Sequence, residues 1–535
     1  MKDTSSLANT LGLAALCILT FPLLKKLYEN IWRPKLPPGP PRSFFRDNRP
    51  DVPSAYFWKT FRSWSMQYGP VVSFYLGSTP VIVLGTSEAA HDLLEKRGDI
   101  YSGRPRIIVG QEIYSGGMRG TGMSYGPRYR RWKSLMQAGL NPTAVVNYRP
   151  IQSIESSILL RDILNSNGPL QYKDHIRRFV ASIMFCVAYG RRIKALADDL
   201  VVRNMKTEEL STLVSRQPFL RSLGFKSSAS VPGKFIVDSW PVLLYLPRFL
   251  QWFRWEPEKM RQLDAEQYMA AMNDVKRQLA DNSAQPSMAA YSLTKLAEFG
   301  LSDVEAAYAL SSPWSAGVGT TIASIEVFIL AMLLFPLVQK KAQEEIDSVV
   351  GQSRLPGFQD YGSLPYIQAL IKEVTRWRCI APMGLPHATT ADDMHEGMFI
   401  PKGSTVYANI YAMTTDPEIF ADPDEFRPER FLDTSNPGLI NYSIPFGFGR
   451  RLCPGKHVAQ QTLFITTVRI LWAFNIIPSL DEMGNQIIPS AEDFTSGLTT
   501  RPTPFPCRFE PRQGSTVEVV HNEAERADAE TSAWE

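Results

Sequence analysis

The run Phe446-Gly447-Phe448-Gly449-Arg450-Arg451-Leu452-Cys453-Pro454-Gly455 constrains this chain more than any other feature. Glycines on both sides of one cysteine let the backbone turn tightly and approach a flat surface where a Cβ would block it. Pro454 has no N–H and a φ suited to a first helical turn, and His457 to Trp472 carries a helix-like apolar pattern. The Cys453 sulfur therefore stands near a helix N-terminus, whose N–H groups favour a thiolate. Arg451, two residues away, is suited to a carboxylate through charge-assisted hydrogen bonds. The plainer alternative is a buried free cysteine in a glycine turn.

Phe446, Gly449, Arg451, Cys453 and Gly455 stand at the spacing of the cysteine loop of the cytochromes P450, and the decapeptide resembles that loop. The resemblance runs from about residue 37 to about 511. It implies a mainly α fold with small β-sheets, in a single large catalytic domain, and a haem b cofactor. Cys453 would be the axial ligand of the haem iron, with Phe446 beside the cofactor and Arg451 on a propionate. A thiolate pushing electron density onto haem iron favours O–O cleavage.

A second group of residues precedes the loop. In Ser363 to Arg376, Glu373 and Arg376 are three apart and share a helix face. Alone they read as a surface pair worth under about 1 kcal/mol. With Phe426-Arg427-Pro428-Glu429-Arg430-Phe431 further on, they resemble the family's Glu/Arg/Arg lock, carried here by Glu373, Arg376 and Arg430. A guanidinium gripping a carboxylate at two points suits a rigid support for the loop. The resemblance also puts His387 on a propionate, although a lone histidine in a strand is commonly structural. Where the family shows Trp and then Arg four residues later, this chain has Tyr129 and Lys133. Both still donate hydrogen bonds, but lysine lacks the bidentate fork. A solvated basic helix face is the alternative there.

The stretch Ala316-Gly317-Val318-Gly319-Thr320-Thr321, followed by Ile322 to Phe335, resembles the long helix over the haem's distal face. Its glycines are expected to let the helix open locally, and Pro313 to kink it. Thr320 matches the distal threonine, implied in oxygen handling and proton relay. The usual acid before it is replaced by Gly319, so proton delivery would run through water past Ser312 or Ser315. Small residues in an apolar helix also serve close packing. Ile380 to Leu385 and the turn Thr495 to Leu498, where family members contact substrate, are mostly apolar, which favours a lipophilic ligand or simply core.

Residues 7–24 carry no charge and as a helix span roughly 27 Å, so they are expected to anchor the chain in the endoplasmic reticulum membrane. Lys25, Lys26, Arg33 and Lys35 follow, which keeps the catalytic body cytosolic. A cleaved signal peptide is the competing reading, against which no small-residue cleavage site precedes Lys25. The expected division is a tip over 1–6, the anchor over 7–24, a basic and Pro-rich hinge over 25–41, the catalytic domain over 42–511 and a disordered tail over 512–535. Residues 71–84 read as a β hairpin. Five scattered cysteines suggest a reducing compartment, and a net charge of +4 is too small to argue for nucleic acid.

The resemblance thus implies a membrane-anchored monooxygenase that takes O2 and NADPH-derived electrons through a separate NADPH–cytochrome P450 reductase. It would hydroxylate or successively oxidise a lipophilic small molecule of terpenoid or polyketide type. Val231 to Pro241 resembles a region of fungal secondary-metabolism members such as O-methylsterigmatocystin oxidoreductase. Two rivals stand beside it: a haem-thiolate isomerase or dehydratase needing no O2, which Gly319 motivates, and a non-catalytic haem-binding protein, against which a substrate-like pocket beside Thr320 counts.

Overall fold

A computed structural model describes residues 35–41, 47–198, 201–202, 235–432 and 434–534, together with Thr20. The expected anchor over 7–24 otherwise falls outside the described residues, as does most of the basic part of the hinge.

Helices make up most of the body, with small sheets at its edge. In chain order the principal elements begin with α1 (Phe57–Tyr68), β1 (Val71–Leu76), β2 (Thr79–Leu84), α2 (Pro127–Leu140), α3 (Arg149–Leu164) and α4 (Tyr172–Tyr189). They continue with α5 (Trp255–Ala280), α6 (Asp303–Leu310), α7 (Ser312–Leu334), α8 (Pro336–Val349), α9 (Pro365–Trp377) and β3 (His387–Ala388). The last are β4 (Asp393–His395), β5 (Met398–Ile400), β6 (Thr405–Ala408), α10 (Lys456–Ala473), β7 (Phe474–Leu480), β8 (Gln486–Ile487), β9 (Cys507–Pro511) and α11 (Gly514–Glu530).

The expected hairpin is β1–β2, paired from Val71↔Leu84 to Leu76↔Thr79. It heads a sheet of order β1-β2-β6-β3, in which β2 and β6 run parallel. The Pro-rich stretch is docked on this sheet and on β5 of the separate β4–β5 pair. The carbonyl of Pro38 accepts from Ser73 N at 2.9 Å and that of Lys35 from Phe399 N at 2.8 Å. A Cβ on Gly39 would lie 1.8 Å from the Ser73 carbonyl oxygen, so only glycine fits this approach.

At the centre lies α7, packed against α4 and α10. The α6–α7 span is long and apolar enough to cross a membrane by length and composition, but two-thirds of its apolar 18-residue stretch is buried inside the body, as a core helix is. Pro313 does not kink α7 as expected. It sits in the helix's first turn, where a missing N–H breaks no bond, and the helix continues unbroken to Leu334.

The tail expected to be disordered is ordered. Thr516, Val520, Ala524, Ala527 and Thr531 recur every three or four residues and form one buried stripe, which packs α11 onto α3. Trp534 enters a cluster with Ile151, Ile154, Ile158 and Cys186, and its carbonyl accepts from Arg192 N at 2.9 Å. Arg512 holds both oxygens of Asp347 at 2.9 and 2.6 Å. Averaged composition hid a stripe made of small residues.

Candidate active site

The cysteine loop is shaped by its glycines and by what packs on it. Gly447 and Gly449 take φ of +83° and +55°, and a Cβ on Gly449 would lie 2.3 Å from the Leu94 carbonyl oxygen. The close approach at Gly449 is therefore to the segment His91–Lys96. Phe446 accepts from Cys453 N at 2.9 Å, closing the loop, and α10 starts three residues beyond the cysteine.

Cys186, Cys379 and Cys507 are buried, whereas Cys453 has accessible surface. Yet protein surrounds it, and burial pushes its thiol up. The N–H groups of Gly455 and Lys456 and the Lys456 charge pull the other way and do not prevail. A side chain enclosed by protein and still accessible lines an internal space. The helix N-terminus alone does not make this sulfur a thiolate; a coordinated cation would.

Cationic side chains converge nearby. Arg451 donates Nε and Nη2 to the Ser102 carbonyl at 2.9 and 2.7 Å and Nη2 to that of Met123 at 2.6 Å. Its guanidinium lies 3.7 Å from the centre of the Tyr129 ring. Arg104 donates to the carbonyls of Thr121, Leu385 and Pro386 at 2.7–2.9 Å. Burial and the Arg451 charge push Arg104 down to about 9. Burial, then Arg104 and Arg451, push His387 down to about 3. It is neutral, with Nδ1 2.8 Å from the Tyr101 carbonyl, so Nδ1 carries the proton and donates. Burial also lowers Lys133 and Arg451.

Among the described residues these cations are met by carbonyls and rings, and none of Arg104, Lys133 and Arg451 pairs with a carboxylate. Uncompensated positive charge inside a protein is unfavourable unless an anion joins it. The donor set therefore fits a group that brings carboxylates to an interior sulfur, as haem does with its propionates.

Tyr129 and Lys133 lie beside the loop. Both donate to the Arg450 carbonyl, at 3.1 and 2.7 Å, and so brace the loop's backbone. Arg104 went unnoticed in the sequence. Gly103 delivers it, because a Cβ there would lie 2.5 Å from the Ala388 carbonyl oxygen of β3. The only local signal was that glycine before an arginine, and the partners lie some 280 residues away in sequence.

On α7, Ala316 and Thr320 are exposed and Ser324 half-exposed, while most of the helix is buried. Spaced four apart, they form one face toward the interior. Thr320 Oγ1 donates to the Ala316 carbonyl at 3.0 Å, and the helix has no local opening. Gly317 serves packing, since a Cβ there would lie 2.8 Å from Met184 Sδ of α4. The turn Thr495–Leu498 is clamped to the start of α1, with Ser496 Oγ accepting from Tyr56 N at 3.0 Å.

Glu373, Arg376 and Arg430 meet. Arg376 grips Glu373 at two points, and Arg430 Nε donates to Glu373 Oε1 at 3.2 Å. Arg376 also holds the carbonyls of Thr414, Pro423 and Glu425, fixing the chain that leads to Phe431. Phe431 packs with Tyr442, and Ile444 lies against the same cluster just before the cysteine loop.

The family model for Cytochrome P450 matches residues 37–506. The chain belongs to the cytochrome P450 family. Its similarity to cytochrome P450 monooxygenase 58 of Postia placenta is 37% identity, covering 94% of each chain. To cytochrome P450 monooxygenase claR of Ampulloclitocybe clavipes it is 34%, over 96% of this chain and 92% of the other. To cytochrome P450 monooxygenase peniB of Penicillium patulum it is 33%, over 96% and 91%. As a cytochrome P450, this protein is a haem-dependent monooxygenase, an oxidoreductase that incorporates oxygen. Neither rival reading is favoured by these relatives.

Proposed function

We propose that Cys453 is the axial thiolate of the haem iron. Arg451, Arg104 and His387 would take its propionates, and Phe446 would lie beside it. The observation that carries this reading is an accessible sulfur enclosed by protein, beside interior cations that lack a carboxylate. Bound haem iron supplies the activation of O2 for insertion into an unactivated C–H bond.

This chain's own groups supply the rest. Thr320 presents a hydroxyl to the interior face of α7, where it passes protons once released from the Ala316 carbonyl. Gly319 brings no acid, so water carries protons to Thr320. The Glu373, Arg376 and Arg430 lock holds the loop rigid, and Tyr129 and Lys133 brace it through Arg450. The apolar segment Ile380–Leu385 favours a lipophilic small molecule of terpenoid or polyketide type, hydroxylated or successively oxidised at one carbon in fungal secondary metabolism. Electrons come from NADPH through a separate reductase.

The chain is anchored in the endoplasmic reticulum membrane by residues 7–24, with the catalytic body in the cytosol. An exposed aromatic belt supports membrane contact: Trp240, Tyr245, Phe249 and Trp255 stand among Arg248 and Arg254. The carbon monoxide difference spectrum of the reduced protein tests the central assignment. Wild type is expected to give the thiolate signature and Cys453→Ala to lose it, while a wild type without it would overturn the reading.

A further inference from the structure

Inserting one oxygen atom of O2 into a C–H bond and releasing the other as water consumes two electrons and two protons. The electrons are those of NADPH; the protons come from solvent. Gly319 brings no acid to α7, yet a buried acid stands behind the start of that helix, on α5. Asp264 and Tyr268 lie one turn apart there and share a face, and both are buried. Asp264 Oδ2 accepts from Arg119 Nη2 and from the Tyr114 hydroxyl, each at 2.9 Å. The same Arg119 nitrogen donates to the Tyr268 hydroxyl at 3.2 Å. That hydroxyl is within hydrogen-bonding reach of Asp264 on one side and of Ser311 on the other. Edge-on contacts with Tyr308 and Trp314, at 5.0 and 5.6 Å between ring centres, fix its ring.

The outer end of this row is open to solvent, since the Arg119 side chain is 29% exposed where Asp264 is 4%. The inner end meets α7. Ser311 precedes that helix, with its Oγ donating to the Tyr308 carbonyl at 2.9 Å. Ser315 follows one turn later and Gly319 one turn after that, so along this edge no side chain stands between the Ser315 hydroxyl and Thr320. Ser315 and Gly319 both keep accessible surface, and water bridges such hydroxyls.

We propose that Asp264 and Tyr268 bring protons from solvent to the α7 relay and so stand in for the acid that Gly319 lacks. This rests on the reading that Thr320 passes protons. Asp264 takes a proton beside Arg119 and gives it to the Tyr268 oxygen, while the proton of the Tyr268 hydroxyl passes to Ser311. Ser311 turns from the Tyr308 carbonyl, and water past Ser315 brings the proton to Thr320. Each hydroxyl gains one proton and loses one, so no charge stays on the chain. The same contacts clamp residues 114–119 to α5, and the test separates clamping from proton transfer.

The test compares holoenzymes of wild type, Tyr268→Phe, Asp264→Asn, Thr320→Val and the Tyr268→Phe/Thr320→Val pair, with a lipophile that shifts the haem spectrum. Tyr268→Phe keeps the ring on Tyr308 and Trp314 and deletes only the hydroxyl; Asp264→Asn keeps an acceptor for Arg119. Product formed per NADPH consumed is expected to fall about fivefold in both single variants, less than the ~100-fold or more of a full general acid because other waters reach Thr320. Hydrogen peroxide brings its own electrons and protons, so product formed from it in place of O2 and NADPH should match wild type. The dissociation constant of the lipophile, read from the same spectral shift, should not move. The double variant should be no worse than Thr320→Val, because both changes cut one route. Wild-type coupling in Tyr268→Phe, an equal loss with peroxide, weaker lipophile binding, or additive losses in the double variant would overturn the proposal. Wild-type coupling in Thr320→Val would instead sink the relay reading beneath it, so the two failures are distinct.

Discussion

Arg376 holds Glu373 at two points, Nε to Oε2 at 2.6 Å and Nη2 to Oε1 at 2.8 Å, with neither residue exposed. Removing one partner of such a pair strands a buried charge. Glu373→Gln is expected to destabilise the protein by about 3–5 kcal/mol, and Arg376→Lys by less, because lysine keeps the charge but not the fork. Urea unfolding read by tryptophan fluorescence measures both. The haem content of Glu373→Gln should fall as well, since the lock positions Phe431 and, through Tyr442 and Ile444, the approach to the cysteine loop.

Gly449 and Gly447 separate two reasons for glycine in that loop. Both have positive φ, and Gly447 with ψ −164° lies in a region almost confined to glycine, so an alanine costs about 1–3 kcal/mol. At Gly447 the nearest atom to an added Cβ is 3.9 Å away, whereas at Gly449 it is backbone oxygen at 2.3 Å. Gly447→Ala is expected to keep the carbon monoxide thiolate signature at reduced stability. Gly449→Ala should lose it, because the segment His91–Lys96 must move.

The cysteine loop and the Glu373–Arg376 pair were legible in sequence because their residues are three to ten apart, and local spacing fixes such geometry; Arg430, 57 residues beyond Glu373, was legible only through the resemblance of Phe426–Phe431 to the family's lock. Arg104 was not, because its meaning comes from Arg451 and the carbonyls of residues 385–386, which the chain brings close only in three dimensions. Gly317 and Pro313 misled for a different reason. Both are permissive residues, and permission to open or kink was not used: Gly317 meets Met184 and Pro313 starts the helix. In α11 the signal was present as a stripe, but alanine and threonine barely register as apolar.

That stripe makes a stability prediction. Trp534 fills a pocket formed by Ile151, Ile154, Ile158 and Cys186. Trp534→Ala is expected to cost about 3 kcal/mol, at the low end for a large buried aromatic because the site is terminal. Deleting residues 513–535 should lower the Tm at least as much. Neither change should alter the carbon monoxide spectrum, since the helix packs on α3, away from the cysteine loop.

Glu326 predicts a pH effect. It is buried in α7, Oε2 has no partner among the described residues, and Lys173 Nζ is 3.9 Å away. Burial raises its carboxyl above the ordinary 4.5, against the pull of Lys173 and Arg501. An acid with a raised folded pKa binds its proton more tightly when folded. Its contribution is therefore complete below about 4.5 and is lost as pH rises through the folded value. Glu326→Gln mimics the protonated form, so its Tm relative to wild type should rise between pH 4 and pH 8. A difference that stays flat across that range would refute the assignment.

Thr320 carries the last prediction. Its hydroxyl donates to the Ala316 carbonyl, a neutral hydrogen bond at 3.0 Å worth about 1 kcal/mol net, so turning it toward the interior is cheap. Thr320→Val keeps the shape and removes the proton, while Thr320→Ser keeps the hydroxyl. The valine variant should retain wild-type haem content and Tm, because the lost bond only caps a carbonyl that the helix already uses. With a lipophile that shifts the haem spectrum, product formed per NADPH consumed is expected to fall about tenfold in Thr320→Val, less than the ~100-fold or more of a full general acid because water still delivers protons, with peroxide released instead. Thr320→Ser should lie within a few-fold of wild type. Equal coupling in all three proteins would remove Thr320 from the relay and assign the interior face of α7 to packing and substrate contact alone.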